Sequence, residues 1–72
     1  MTELTRLFDM IRGEAKSEVH VERMEDSWFG YVYLFRGQNW HRFVTYQDSP
    51  EAAVADLVLQ VGDWFSREAV AQ

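Results

Sequence analysis

Residues 28–46 read WFGYVYLFRGQNWHRFVTY and hold eight of the chain's eleven aromatic side chains. Runs of Trp, Phe, Tyr, Val and Thr favour β-strands, and Gly37-Gln38 between two such runs favours a tight turn. Glycine at the first turn position predicts a type II′ turn. The segment is therefore predicted to be a β-hairpin, and it is apolar on both faces.

A two-residue loop at Gly37-Gln38 decides which side chains of the hairpin share a face, because directly opposite residues lie on one face. The first face would hold the pairs Phe35 with Trp40, Tyr33 with Arg42, Tyr31 with Val44, and Phe29 with Tyr46. The second would hold Trp28, Gly30, Val32, Leu34, His41 and Phe43.

The second face is the more aliphatic and compact, so we assign it to the core, with Gly30 allowing a helix to approach closely. The first face has the Tyr, Trp, Phe and Arg content of protein interfaces and is predicted to stay open. The alternative is that the aromatic face packs against the helices, and a one-residue change of register would also exchange the faces. The predicted partner-binding residues of the open face are Tyr31, Tyr33, Phe35, Trp40 and Arg42.

The flanking segments show two helices and one further strand. Apolar residues recur at helical spacing after Thr2, which predicts a helix over 3–12, and the alternation around Val19 and Val21 predicts a strand over 18–24. Ser49-Pro50-Glu51 is a helix start that predicts a second helix over 50–66, with a frayed tail beyond Arg67. With hairpin strands over 28–36 and 40–46, the expected fold is an α+β two-layer sandwich, α-β-β-β-α, with a three-stranded antiparallel sheet and both helices on one face.

Size and composition limit what the chain can do. Its 72 residues form a single domain, 1–72, whose core is small. There is no cysteine to supply a disulfide, so oligomerisation or partner binding is the remaining source of stability, and a homodimer is expected. The net charge of −5 argues against binding free nucleic acid, because phosphates are neutralised by Lys and Arg.

Charged residues are expected to separate toward the two ends of the sheet. In an up-down-up meander the 25–27 turn and the 47–51 junction lie at the same end, which collects Glu25, Asp26, Asp48 and Glu51. We call these four residues the acidic end and predict that they meet a basic surface on a protein partner. The opposite end would collect Arg12, Lys16 and Arg36. The alternative is that the acids only solubilise the chain and favour a helix N-terminus.

No pattern predicts catalysis, a cofactor or a metal centre, so we expect a protein that is not an enzyme. The nearest candidate is a metal site of His20, Glu22 and His41, and it would need His41 to converge from two strands away. No apolar run is long enough for a transmembrane helix, and the N-terminal residues lack a signal-peptide pattern. A cytoplasmic location without membrane association is therefore expected, in a host cell if the protein is viral.

Two resemblances bear on function. The predicted α-β-β-β-α order resembles the double-stranded-RNA-binding domain, which implies a nucleic-acid-binding module. That family has a basic cluster where this chain reads Ser49-Pro50-Glu51-Ala52-Ala53, so we keep RNA binding as the alternative. In general character, short, acidic and free of cysteine, the chain is similar to small phage-encoded inhibitors, including anti-CRISPR proteins. This resemblance implies a viral protein that inhibits by protein–protein interaction and blocks a basic nucleic-acid-binding surface.

Overall fold

The helices and strands follow one another in the order that the sequence predicts. The computed structural model describes the backbone of residues 2–71 and the side chains of residues 2–69. Its three-stranded sheet is antiparallel throughout, with the strand order β1-β2-β3, so the predicted α+β fold class is confirmed. The elements are α1 (Glu3–Ile11), β1 (Lys16–Met24), β2 (Ser27–Arg36), β3 (Asn39–Gln47) and α2 (Pro50–Ala71).

Both helices begin at the predicted caps. The Thr2 hydroxyl oxygen accepts the Thr5 backbone N–H at 3.1 Å, and Ser49 Oγ accepts the Ala52 N–H at 3.1 Å. These bonds satisfy N–H groups that have no partner within the helix. The predicted helix starts are therefore correct, including proline at the first position of α2.

Two predicted boundaries differ from the structure by two residues or more, and the ends of α1, β2 and β3 differ by one at most. Strand β1 begins at Lys16 rather than at residue 18, because Phe35 near the end of β2 provides a pairing partner for Lys16. Helix α2 continues to Ala71 instead of ending at residue 66 and fraying beyond Arg67. An ion pair of 3.2 Å between Arg67 and Asp63 and the good helix propensity of alanine extend it beyond its apolar stripe. Gln72, the last residue of the predicted tail, lies outside the described part of the chain.

The hairpin has the predicted register and a different turn. Phe35 pairs with Trp40 and Tyr33 with Arg42, as a two-residue loop requires. Gly37 and Gln38 both have positive φ, +61° and +66°, which is a type I′ turn and corrects the predicted type II′. Both primed turn types match the right-handed twist of the flanking strands, and in type I′ Gln38 as well as Gly37 adopts a left-handed conformation.

The core lies between the second face of the hairpin and the helices. Helix α2 packs across the sheet, mostly over β2 and β3, and α1 packs mainly against α2. Gly30 is buried where the sheet meets α2, as predicted. The aromatic face is therefore the open one, which confirms the face assignment. The buried cluster comprises Leu7, Ile11, Val32, Leu34, Phe43, Leu57, Val58 and Val61.

Two glycines provide opposite tests of this packing. A Cβ at Gly30 would lie 3.2 Å from Leu57 Cδ1 and 3.4 Å from Thr45 Cγ2, so Gly30→Ala is expected to push α2 from the sheet and lower the free energy of unfolding by about 1–3 kcal/mol. A Cβ at Gly62 would meet only Met10 Sδ, at 3.8 Å. Gly62→Ala is therefore expected to raise the free energy of unfolding by up to about 1 kcal/mol. Urea denaturation of both variants checks this; equal effects would contradict the packing described.

Candidate functional site: the open face of the sheet

The face of the sheet opposite the helices is a continuous surface to which all three strands contribute. We call it the open face. Its central strand carries only aromatic residues, and its outer strands add most of the charge. Three of its apolar side chains are more exposed than a core would leave them: Trp40 is 56% exposed, Val44 40% and Tyr46 64%. The open face comprises Lys16, Glu18, His20, Glu22, Phe29, Tyr31, Tyr33, Phe35, Trp40, Arg42, Val44 and Tyr46.

The aromatic rings of the open face contact one another across the strands. Tyr31 lies at the centre, 4.5 Å from the ring of Tyr33 and 5.0 Å from the stacked ring of His20. Trp40 extends the cluster at one end, with its ring 5.3 Å from Phe35 and 6.5 Å from Tyr33. Rings held by neighbours on a sheet lose little conformational entropy on binding, so this surface is preorganised for contact with a partner.

A shallow depression lies between the aromatic cluster and two charged side chains. It has a volume of about 550 Å³ and is lined by Glu18, Tyr33, Trp40 and Arg42. Beside it, the Tyr31 hydroxyl donates a hydrogen bond of 3.3 Å to Glu18 Oε1. Desolvation by the neighbouring side chains, and then the charge of Glu18, raise the pKa of Tyr31 above its ordinary value. The hydrogen bond from the Tyr31 hydroxyl holds the Glu18 carboxylate at the rim of the depression.

Arg42 does not have the environment that the sequence suggests. Two aromatics opposite an arginine can hold its guanidinium by stacking, and Tyr33 is its cross-strand partner. The cation–π contacts among residues 2–69 belong instead to Lys16 and Arg36, and none of the ion pairs there includes Arg42. Arg42 is exposed at the depression and can donate its hydrogen bonds to another molecule.

The acidic end is assembled as the meander requires. Trp28 pairs with Gln47, so the turn at Glu25-Asp26 lies beside the end of β3 and the start of α2. Glu25 has a φ of +55°, which turns the chain sharply there. All four acids, including Asp48 and Glu51, are exposed, and none takes part in an ion pair with the side chains that the structure describes.

The opposite end is less basic than predicted, because both of its arginines form ion pairs within the domain. Arg36 makes a two-pronged contact with the buried carboxylate of Glu14, at 2.8 and 3.2 Å. Its guanidinium also lies 5.2 Å from the ring of Trp64 and 5.1 Å from that of Phe65. Arg12 pairs with Asp9 at 2.6 Å. Of the three basic residues predicted for this end, only Lys16 forms no ion pair with the described side chains.

The candidate metal site is not assembled. His20 lies on the open face, with Nε2 3.3 Å from Glu22 Oε1. His41 lies on the helix face, with its ring 4.8 Å from that of Trp64. The sheet separates the two imidazoles, so the convergence that this candidate would need does not occur. In the described residues no group of three His, Cys, Asp or Glu side chains is placed to hold a metal ion.

Comparison with known proteins assigns this chain to no family. No family model, curated protein or solved structure matches it. Within residues 2–71, neither helix is long and apolar enough to cross a membrane.

Proposed function

We propose that this chain is a non-enzymatic binding protein whose open face contacts a protein target. The observation that carries the proposal is the division of the hairpin's apolar residues between two faces. Val32 and Leu34 are fully buried under α2, while Trp40 and Tyr46 on the opposite face remain more than half exposed. A small domain gains no stability from exposed rings, and exposed apolar patches of this kind mark interaction sites.

The proposed contact residues are Tyr31, Tyr33, Phe35, Trp40 and Arg42. Interface energy concentrates in aromatic and arginine side chains that become desolvated together. Here the rings of Tyr31 and Tyr33 already touch, and Arg42 has its donors available at the edge of the depression. An acceptor on the target would receive hydrogen bonds from Arg42 while an apolar group fills the space beside Trp40.

The acidic end favours a target with a basic surface. Four exposed acids cluster at one end of a domain of net charge −5, whereas Arg12 and Arg36 are paired internally. Charge of one sign steers association with a surface of the opposite sign. Together with the short, acidic and cysteine-free character of the chain, this supports an inhibitor of the phage anti-defence type, similar in kind to anti-CRISPR proteins. It would act in the cytoplasm of a host cell and cover a nucleic-acid-binding surface.

The direct test is capture from a bacterial host lysate with wild type and a Tyr33→Ala/Trp40→Ala variant as parallel baits. The proposal expects a basic protein that the wild type retains and the folded variant loses. Adding wild-type chain should then release nucleic acid from the captured protein in a mobility-shift assay. A captured protein that keeps its nucleic acid would contradict the inhibitory role, and equal capture by both baits would contradict the site.

Neutralising the acidic end should slow association with such a target. In a variant with Glu25→Gln, Asp26→Asn, Asp48→Asn and Glu51→Gln, we expect the association rate to fall about tenfold or more at low salt, because steering charges act on the encounter. The dissociation rate should change little. Surface plasmon resonance against the captured protein at two salt concentrations measures both rates. A variant with an unchanged association rate would show that the acids only solubilise the chain.

The alternative function is a nucleic-acid-binding module. The observation in its favour is the set of rings on an open sheet face, since bases stack on such platforms. The start of α2, where the double-stranded-RNA-binding domain is basic, carries Glu51 and no lysine. We expect no shift of duplex or single-stranded RNA at physiological salt. A tight, salt-sensitive shift would favour the alternative.

A further inference from the structure

The two outer edges of the sheet differ in how they are protected. Gln60 of α2 donates a hydrogen bond of 2.9 Å to the Val44 carbonyl of edge strand β3, and Asp56 fixes the Gln60 amide at 2.8 Å. A side chain therefore occupies part of the β3 edge. Along Lys16–Glu22 of β1, no described side chain bonds to the backbone of the strand. An uncovered edge is a template for pairing with another strand.

The register defines which backbone groups of β1 point outward. The two-residue turn at Glu25-Asp26 makes Met24 and Ser27 a hydrogen-bonded pair, so the even residues of β1 bond to β2. In agreement, the His20 carbonyl oxygen lies 3.5 Å from where a Cβ of Gly30 would sit, between the strands. The odd residues Ser17, Val19 and Val21 therefore direct their N–H and C=O groups away from the sheet.

The side chains of β1 are complementary to a second copy of the same strand. We propose that two copies of this chain pair antiparallel through β1, with Val19 opposite Val19 of the second copy. This register places Lys16 opposite Glu22 and Glu18 opposite His20, each twice by symmetry, on the open face. Glu22 and Lys16 form opposite-charge pairs, and His20 can donate to Glu18. On the helix face Val19 meets Val19 of the second copy and Val21 meets Ser17, and both valines are half-buried in one copy.

Neighbouring registers are less favourable. Centring the pair on His20 would place Glu18 opposite Glu22 twice, and like charges directly opposite destabilise a strand pair. Centring it on Val21 would leave Lys16 without a partner. A register that places even-numbered residues opposite odd-numbered ones would put the open face of one copy on the helix side of the other. In the Val19 register, Ser17, Val19 and Val21 form three hydrogen-bonded pairs, about six backbone bonds.

The paired form would be one continuous six-stranded sheet, twice the three strands of a single chain. Both aromatic clusters would lie on the same side of that sheet. Three strand spacings of about 4.8 Å separate the two β2 strands, so the clusters would be about 14 Å apart. Pairing through β1 uses its outward backbone groups and the side chains of Lys16, Glu18, His20 and Glu22. It leaves Tyr33 and Trp40 free. The dimer and the proposed contact with a target can therefore be tested independently of each other.

Charge reversal at positions 16 and 22 tests the pairing, with sedimentation equilibrium as the measurement. We expect wild type to dimerise, and Lys16→Glu and Glu22→Lys alone each to weaken the dimer about tenfold or more, since each change turns two attractive pairs into repulsive ones. Mixing the two single variants should restore dimers, because every facing pair is then of opposite sign. The double variant should likewise dimerise as wild type does.

A backbone variant provides an independent check. Ser17 is exposed and its N–H points outward, so Ser17→Pro is expected to keep the β1–β2 ladder and remove two intermolecular hydrogen bonds from the dimer. Circular dichroism confirms that each variant is folded. A wild type that stays monomeric at its solubility limit would overturn the inference. Dimers that survive both single charge reversals unchanged, or that the mixture fails to restore, would do the same.

Discussion

Replacing Trp40 by alanine is expected to abolish binding to a protein target while the domain stays folded. Trp40 is 56% exposed, and its ring contacts those of Phe35 and Tyr33 on the open face. Truncating an aromatic anchor at the centre of an interface costs ~2 kcal/mol or more of binding free energy. Affinity for a protein captured from the lysate should therefore fall about 30-fold or more, measured by titration calorimetry.

Trp64 provides the matched control on the other side of the sheet. Its ring contacts His41, Phe65 and the Arg36 guanidinium, and none of these three residues belongs to the open face. Trp64→Ala is therefore expected to lower the melting temperature by about 10 °C, the effect of ~2 kcal/mol in a domain of this size. Its affinity for the target, measured below that temperature, should remain close to wild type. If Trp40→Ala unfolds, or still binds normally, the open face is not the interface.

Replacing Leu57 by alanine is expected to have the largest effect on stability. Leu57 is completely buried, and its Cδ1 contacts the sheet over Gly30. A buried Leu→Ala change costs about 2–5 kcal/mol. A domain of this length has a free energy of unfolding of roughly 4–11 kcal/mol, so a large share of its stability would be lost. Urea denaturation followed by circular dichroism should show a midpoint far below that of wild type.

A Leu59→Ala variant distinguishes the loss of packing from an effect of helix propensity, because Leu59 lies on the same helix and is 71% exposed. Leu59→Ala introduces the same side chain into α2 and removes no core contact. It should change the free energy of unfolding by less than about 0.5 kcal/mol. Comparable losses for the two variants would mean that α2 is packed differently.

The sequence predicts the elements well where local chemistry decides them. Thr2, Ser49 and Pro50 mark the helix starts, and Gly37-Gln38 sets the hairpin loop and therefore the register. The register in turn decides which residues share a face, because side chains alternate along a strand. The separation of Val32 and Leu34 from Tyr31 and Tyr33, and with it the composition of the candidate site, could be predicted for this reason.

Other features depend on contacts between residues far apart in the sequence. The strand start at Lys16 depends on Phe35 as a pairing partner from the far end of β2. No local pattern predicts that the Arg36 guanidinium pairs with Glu14 and lies against the rings of Trp64 and Phe65. Nor does one predict that Gln60 reaches the edge of β3 while β1 stays uncovered.

The sequence by itself therefore determined the order of elements, the hairpin register and the residues of each face, because capping, turn and alternation rules act over a few neighbouring residues. Only the tertiary structure decided which face stays open, which charges remain available and which sheet edge is uncovered. These depend on where α2 packs and on which side chains it brings within reach of the sheet. Leu57 over Gly30 marks the covered face, Arg36 with Glu14 removes one charge from those available, and Gln60 at Val44 marks the covered edge.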